Sequence, residues 1–138
     1  MVPKENVLKI PGEGFPIAMN ALDNSRIGIA AQALGIAQGA FEAAVKYAHE
    51  RIAFGKPIAE HQSIQIKLAD MACRVESARL LTEQAARAYD TGERCDLEAG
   101  MAKLVATEAA MENANEAMRL HGGYGYSPEY NIERYYRD

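Results

Sequence analysis

The chain has 138 residues, of which 49% are hydrophobic and 25% charged, a composition typical of one soluble domain with a single sizeable core. Its net charge of −4 comes from interspersed acidic and basic residues, whereas sequence-independent nucleic-acid binding needs a basic stripe, so we expect no nucleic-acid partner. No apolar run approaches the ~18 residues of a membrane span and no signal peptide is evident, so we expect a cytoplasmic (bacterial) protein or, as the alternative, a mitochondrial matrix protein.

An extended segment is predicted for residues 1–15. Pro3 and Pro11 oppose helix formation there, NVLKI is typical of a strand, and Gly12 and Gly14 interrupt regular structure. The chain begins within this apparent strand and ends without a terminal signal. We therefore expect it to be one domain of a longer protein.

Three long helices are predicted after this segment, over about 16–50, 60–89 and 95–120. A short fourth helix is predicted after Pro128. Because the connecting loops are short, neighbouring helices should pack antiparallel. The sequence therefore predicts an all-α, antiparallel up-down helical bundle over residues 16–138, with its C-terminal side incomplete.

Apolar residues recur at intervals of three and four along each helix and predict the buried faces. Arg26 is the misfit in the stripe of the first helix. Gly28, Gly35 and Gly39 lower helix propensity there, so we expect another backbone to approach closely. The predicted buried faces consist of Met19, Leu22, Ile29, Ala33, Ile36, Ala40, Ala43 and Tyr47 in the first helix, Ile64, Leu68, Met71, Val75, Ala78, Ala85 and Tyr89 in the second, and Leu97, Met101, Leu104, Met111 and Met118 in the third.

The first candidate motif is RIAFGKPIAEHQ, residues 51–62. On spacing alone it is a helix–helix loop with a Gly-Lys-Pro turn and a basic residue that complements the helix dipole. As a functional motif, Arg51 would present a planar fork to a phosphate or pyrophosphate. Phe54 would offer an aromatic face, and Gln62 would hydrogen-bond a heterocycle edge or a ribose.

The second candidate motif is RLHGGYGY, residues 119–126. It is either a glycine-rich helix cap followed by a turn, or a surface on which a ligand lies flat against the backbone. In the second case Gly122 and Gly123 are needed because a Cβ would block the ligand, and peptide N–H groups could bind an anion. Neither GxGxxG nor GxxxxGK[ST] is present, so a Rossmann or P-loop phosphate site is not predicted.

The third candidate motif is LDNSRIGIA, residues 22–30. A buried arginine must be paired, and Asp23, three residues before Arg26, is a reachable partner. The pair is either an internal ion pair or a ligand contact at the mouth of a pocket. No metal site is predicted, because His49 and His61 have no third ligand at suitable spacing.

In their order along the chain, the three motifs resemble those of the C-terminal helical domain of the flavin-dependent acyl-CoA dehydrogenases. VPKENVL…GEGF is similar to the family's exit from its middle β-domain, and RIAFGKPIAEHQ to its R-x-x-F-G…Q segment. HGGYGY followed by ERYYRD is similar to its Q-x-x-G-G-x-G-[YF] motif and the R-D before the catalytic loop. The resemblance covers essentially all 138 residues.

The resemblance implies an FAD enzyme that removes the α and β hydrogens of an acyl-CoA thioester. In the family a glutamate takes the α proton, flavin N5 takes the β hydride, and an electron-transferring flavoprotein reoxidises the flavin. The enzymes are homo-oligomers, usually a tetramer built as a dimer of dimers, and the helical domain binds FAD across a subunit interface.

The resemblance also implies roles for individual residues. Asp23 and Arg26 match positions that line the acyl-CoA site. The residues that match positions contacting the pyrophosphate and ADP portion of a neighbour's FAD are Arg51, Phe54, Gln62, Arg119, Leu120, His121, Gly122 and Gly123.

Two departures from the family pattern stand out. The family usually has Gln where this chain has Arg119, and a guanidinium donates hydrogen bonds but cannot accept them. The usual catalytic glutamate follows the R-D that matches the last two residues, and the alternative position for the base is Ser25, which is not a carboxylate. We therefore expect no catalytic base within the 138 residues and an inactive domain. The rival interpretations are a non-catalytic oligomerisation module and an acyl-CoA oxidase of the same fold.

Overall fold

The structure is a computed structural model that describes residues 3–138; Met1 and Val2, the first two residues of the predicted extended segment, lie outside the described residues. Lys4–Asn6 form a short 3-10 helix, and the chain is irregular from there to the first α-helix. The strand predicted from NVLKI is wrong for this structure. A strand needs a hydrogen-bonding neighbour, and no neighbouring strand pairs with this segment within residues 3–138.

Four α-helices account for most of the described residues: α1 (Gly14–Glu50), α2 (Gln62–Asp90), α3 (Asp96–His121) and α4 (Ile132–Arg137). The three long helices agree with the predicted spans to within about two residues, the usual uncertainty of helix ends. Acidic residues in the first turn of α3 and basic residues in its last turn complement the helix dipole. α2 ends before Gly92, whose φ of +75° suits a glycine that closes a helix.

α1 and α2 are joined by a small antiparallel hairpin, β1 (Ile52–Ala53) and β2 (Lys56–Pro57), and a 3-10 turn at Ile58–Glu60. A short turn joins α2 to α3, so the chain runs up, down and up, and α1 and α3 point in the same direction. α1 packs on both α2 and α3, and α4 packs on α1 and α3. The predicted all-α up-down bundle is confirmed.

The core is built mainly from alanine, which lets the three helices approach closely. Larger buried residues are few: Met71 and Ile132 are completely enclosed, and Tyr47 is nearly so. The buried alanines are Ala30, Ala33, Ala37, Ala40, Ala44 and Ala48 of α1, Ala78 and Ala85 of α2, and Ala99, Ala102, Ala106, Ala109, Ala110, Ala114 and Ala117 of α3.

This core corrects the predicted buried faces. The α2 stripe is largely right from Met71 to Ala85, although Tyr89 is exposed. In α3 the face of Leu97, Met101, Leu104 and Met111 points outward, and an alanine face is buried instead. In α1, Met19, Leu22 and Ile29 are exposed. The apolar periodicity correctly predicts the helices, but the face that packs in the core of α3 is the alanine face. The size of the apolar side chains therefore does not decide which of two apolar faces is buried.

Among the described residues 3–138, no other backbone lies within 4 Å of a Cβ placed at Gly28 or Gly35 of α1 or among the nearest atoms at Gly39, so the expected close approach is not seen. A Cβ at Gly28 or Gly35 would meet nothing within 4 Å. At Gly39 it would lie 3.0 Å from the Tyr135 side chain, so that glycine accommodates an aromatic ring of α4. Within residues 3–138, no helix combines the length and apolar character that crossing a membrane requires.

Candidate functional site

An open groove of about 520 Å³ lies at the end of the bundle where both α1 and α3 terminate. It brings together Arg51 and all five residues of the predicted 119–123 segment, which are more than sixty positions apart in sequence. Sequence reasoning did not assign the remaining residues to a site. The groove is lined by Tyr47, Arg51, Ile58, Arg119, Leu120, His121, Gly122, Gly123, Tyr124, Ser127 and Glu129.

Arg51 is held by the backbone on both sides of its side chain. Its N–H donates to the Tyr47 carbonyl at 2.8 Å, which continues the last turn of α1, and its own carbonyl accepts from the Ile58 N–H at 2.9 Å. These two hydrogen bonds fix the position at which the hairpin leaves the groove. The guanidinium itself is exposed and can donate to a ligand.

Phe54 and Gln62 do not line the groove, although both belong to the connection that follows Arg51. Phe54 has a φ of +54° and is followed by Gly55 at +82°, which is the tight hairpin turn with two positive φ angles. A bulky residue rarely adopts this conformation, and here it leaves the Phe54 side chain 96% exposed at the tip. His61 supports the hairpin, because its Nε2 lies 3.2 Å from the Ala53 carbonyl oxygen. Gln62 is exposed at the first residue of α2.

The three glycines of the GGYGY segment differ in backbone conformation and in surroundings. Gly122 ends α3 with φ +58° and ψ −132°, a conformation that other residues avoid. A Cβ at Gly125 would lie 2.8 Å from the Met118 carbonyl oxygen, so the close approach of two backbones requires that glycine. Gly123 has a negative φ and open space around the position of a Cβ. Only Gly123 is left without a reason inside the chain, and it faces the groove.

Tyr47 and His121 form the aromatic floor of the groove, and both rings contact Tyr130, which is not part of the groove lining. The Tyr130 ring meets Tyr47 edge-on at 5.6 Å and His121 at 5.3 Å between ring centroids. Burial lowers the pKa of His121, and the hydrogen bond between its Nδ1 and the Ala117 carbonyl only partly offsets this effect. Because a carbonyl can only accept, Nδ1 carries the proton in the neutral ring. Burial likewise raises the pKa of Tyr47, so the floor is uncharged near neutral pH.

The rim of the groove carries more positive than negative charge. Two guanidinium groups, Arg51 and Arg119, stand against one carboxylate, Glu129. Together with exposed backbone at Gly122 and Gly123, this arrangement suits an anion flanked by an aromatic or heterocyclic group. Within residues 3–138, no three His, Cys, Asp or Glu side chains come together as a metal site.

Asp23 and Arg26 lie far from this groove. They form an ion pair at 3.0 Å, as their spacing predicted, but their side chains are 43% and 42% exposed, so the expected burial of Arg26 is wrong. Ser25 donates its hydroxyl to the Leu22 carbonyl at 2.9 Å within the helix. At about 1.5 Å per residue, Arg26 and Tyr47 are roughly 30 Å apart along α1. The two predicted sets of site residues therefore occupy different ends of the bundle.

Comparison with known proteins assigns the family. Residues 12–138 match the family model "Acyl-CoA dehydrogenase, C-terminal domain". The chain belongs to the acyl-CoA dehydrogenase family. Its expected fold and family membership are thereby confirmed.

Individual acyl-CoA dehydrogenase relatives match the chain over almost its whole length. It is 56% identical over 137 residues to the mitochondrial short-chain specific acyl-CoA dehydrogenase of Rattus norvegicus, and 53% identical to the acryloyl-CoA reductase (NADH) of Anaerotignum propionicum. The structure of butyryl-CoA dehydrogenase from Megasphaera elsdenii superposes with a TM-score of 0.93 at 49% identity, over 99% of this chain and 36% of that one. Both sequence matches cover 99% of this chain, but the chain spans only 33% and 35% of the length of those two relatives.

Proposed function

We propose that this chain is the C-terminal domain of an FAD-dependent acyl-CoA dehydrogenase that forms the α,β double bond of acyl-CoA thioesters. The observation that carries the proposal is the groove, in which Arg51 meets the 119–123 segment at the end of α1 and α3. These are the positions that the family resemblance assigns to FAD, and they lie more than sixty positions apart in the sequence. A module that served oligomerisation alone would not need them to converge on one open groove.

The groove fits the ADP portion of FAD in charge and shape. Arg51 and Arg119 offer planar forks to the pyrophosphate, and the open space above Gly123 lets an adenosine lie against the backbone. The Phe54 ring and the Gln62 amide are exposed on the connection that follows Arg51 and are free to contact other parts of the cofactor. FAD, when bound, supplies the acceptor for the hydride that leaves the substrate. The role of this chain is to bind and orient it.

The separation of Asp23 and Arg26 from the groove supports a site shared between subunits. One subunit cannot bring these residues to the same cofactor end as Arg51, since about 30 Å of helix lies between them. In a homo-oligomer, a tetramer built as a dimer of dimers, one subunit would hold the ADP end of the FAD whose flavin serves its neighbour. Asp23 and Arg26 then face the acyl-CoA, and an electron-transferring flavoprotein takes up the electrons.

A second candidate function is the reverse reaction, reduction of an enoyl-CoA. It is favoured by the 53% identity to acryloyl-CoA reductase, which is nearly as high as the identity to the dehydrogenases. Both directions use the same groove for the same cofactor. The two reactions differ in the electron donor or acceptor, so an activity assay with each of them distinguishes the dehydrogenase from the reductase.

A domain exchange tests the proposal. This chain would replace the matching 36% of Megasphaera elsdenii butyryl-CoA dehydrogenase, and the chimera would be compared with the parent enzyme and with a chimera carrying Arg51→Ala. We expect a flavin content close to one per subunit and butyryl-CoA-dependent dye reduction, both lowered in the Arg51→Ala chimera. A cooperatively folded chimera without flavin, or one indifferent to Arg51, would refute the assignment of the groove.

A further inference from the structure

Two linked ion pairs connect α2 to the guanidinium of Arg119 at the rim of the groove. Glu116 of α3 accepts a hydrogen bond from Arg119 Nη1 at 2.7 Å through one oxygen, and its other oxygen pairs with Lys67 Nζ of α2. Glu116 is the most enclosed of the three, with 15% of its side chain exposed, while Arg119 is 69% exposed. The carboxylate is therefore fixed between two cations, of which Arg119 is the more exposed and the one that lines the groove.

The environment keeps Glu116 ionised. Burial alone would raise its pKa, but the hydrogen bonds from Lys67 and Arg119 outweigh burial and hold the pKa below its ordinary value. A carboxylate that is ionised at neutral pH restricts an arginine that would otherwise sample many rotamers, so less side-chain entropy is lost when a ligand binds. Within residues 3–138, Arg119 Nε and Nη2 have no other acceptor, so they remain able to donate to a ligand.

We propose that Glu116 and Lys67 are positioning residues, which hold Arg119 at the rim so that a diphosphate binds between two guanidinium groups, those of Arg119 and Arg51. The inference rests on the proposed function, since it takes the ADP portion of FAD as the ligand. It gives a reason for the arginine at a position where the family usually has glutamine. In this chain the second donor to the diphosphate is a charged group, and the half-buried Glu116 carboxylate keeps it in place.

The chain offers a matched control for Glu116. Glu112, one helical turn earlier on α3, forms the same kind of interhelical pair with Arg74 of α2, at 2.5 Å between Oε2 and Nε. Glu112 does not line the groove and does not contact Arg119. Loss of either carboxylate removes one α2–α3 ion pair, but only loss of Glu116 releases the arginine.

The experiment is a titration of ADP into the ¹⁵N-labelled 138-residue chain, followed through the amide signals of Gly122 and Gly123. The variants are Arg51→Gln, Arg119→Gln, Glu116→Gln, the double variant of Glu116 and Arg119, and Glu112→Gln as the control. An exposed charge pair is worth up to about 1 kcal/mol, so we expect Arg119→Gln to weaken ADP binding about fivefold and Glu116→Gln about threefold. In the double variant we expect no more weakening than in Arg119→Gln alone, because Glu116 acts only through Arg119. Glu112→Gln should bind ADP as the original chain does.

The outcomes separate this inference from the proposed function. If Arg51→Gln weakens ADP binding but Glu116→Gln does not, the positioning role is overturned and the groove stands. Additive losses in the double variant would overturn the positioning role in the same way. No ADP-induced shift at Gly122 and Gly123, or no effect of Arg51→Gln, would overturn the groove itself and the inference with it. Thermal melting would show whether each variant folds. If Glu116→Gln is unfolded, Lys67→Met removes the other ion pair of Glu116 instead, and we expect it to weaken ADP binding about twofold. An unchanged affinity of Lys67→Met for ADP would contradict the positioning role.

Discussion

Tyr47 of α1 and His121 of α3 stack nearly face to face, with ring centroids 4.1 Å apart and ring planes 23° from parallel. The Tyr47 hydroxyl also reaches the His121 carbonyl oxygen at 3.4 Å. The two residues join the ends of two helices that run in the same direction, directly beneath the groove. A change at either residue therefore acts on the stability of the bundle and on the shape of the groove together.

The stability of the domain should depend on pH through His121. Burial lowers the pKa of His121 in the folded chain below the ordinary 6.5 that the unfolded chain keeps. Between these two values the unfolded chain binds more protons, so the free energy of unfolding should fall as the pH drops below about 6.5 and be constant above it. Urea unfolding from pH 5 to pH 8 would measure this dependence.

His121→Phe should remove most of that pH dependence while it keeps an aromatic ring against Tyr47. His49→Gln is the control, because it removes an exposed histidine near the end of α1. Glu116 adds a separate loss at lower pH, since its pKa is lowered and its contribution is lost only as the carboxylate is protonated. A His121→Phe variant with the original dependence between pH 5 and 6.5 would contradict the assignment.

The three glycines of GGYGY should respond differently to alanine. Gly122→Ala should cost about 1–3 kcal/mol because of its backbone conformation. Gly125→Ala should cost about as much, because the new Cβ would collide with the Met118 carbonyl. Gly123→Ala should change the free energy of unfolding by less than about 0.5 kcal/mol, yet weaken ADP binding, since its space is open to the groove. Denaturant unfolding and ADP titration of the same three variants would compare both effects; a Gly123→Ala variant that binds ADP normally would show that the ligand does not approach that backbone.

Asn113 should be the polar residue on which the packing of α1, α2 and α3 depends most. It is fully buried, and its Nδ2 donates to the Ala37 carbonyl of α1 at 3.3 Å and the Met71 carbonyl of α2 at 3.1 Å. Asn113→Ala should destabilise the domain by about 1–3 kcal/mol, because two buried hydrogen bonds are lost. Asn113→Asp should be worse, since it buries a charge. Asn115→Ala, at a half-buried position two residues later, is the control in urea unfolding, and equal losses at both positions would contradict the role of Asn113.

The helices and their order could be predicted from the sequence, but not the face that each helix buries. The limits of α2 and α3 follow from local signals, such as Gly92 and the residues of the first and last turns. In α3, however, two apolar faces compete, one of leucine and methionine and one of alanine. The choice depends on how closely α1 and α2 approach, which is a property of the packed bundle and not of any single helix.

The site was predictable to a similar degree. Arg51 and the 119–123 segment were identified by motif, and the structure brings them into one groove. The motif could not show that Phe54 and Gln62 stand outside its lining, because a positive φ at Phe54 decides where the hairpin points. Tyr47 was assigned to the core, and Glu116 was not singled out at all. Their roles come from contacts across helices, and a spacing rule within one helix does not contain them.

The outward face of α3 should make the 138-residue chain self-associate. Leu104 is 60% and Met111 52% exposed, and they lie along one side of the helix with Leu97 and Met101. Although Glu108 interrupts it, an exposed apolar face of this kind favours association, and a stable interface buries about 1,200–2,000 Å² in total. We therefore expect a dimer or a larger oligomer at micromolar concentration, measured by light scattering across a dilution series. Leu104→Glu should shift the chain toward monomer, whereas Leu80→Glu, at a comparably exposed position on α2, should do so much less. A compact monomer that melts cooperatively, or equal effects of the two substitutions, would show that this face of α3 is not the interface.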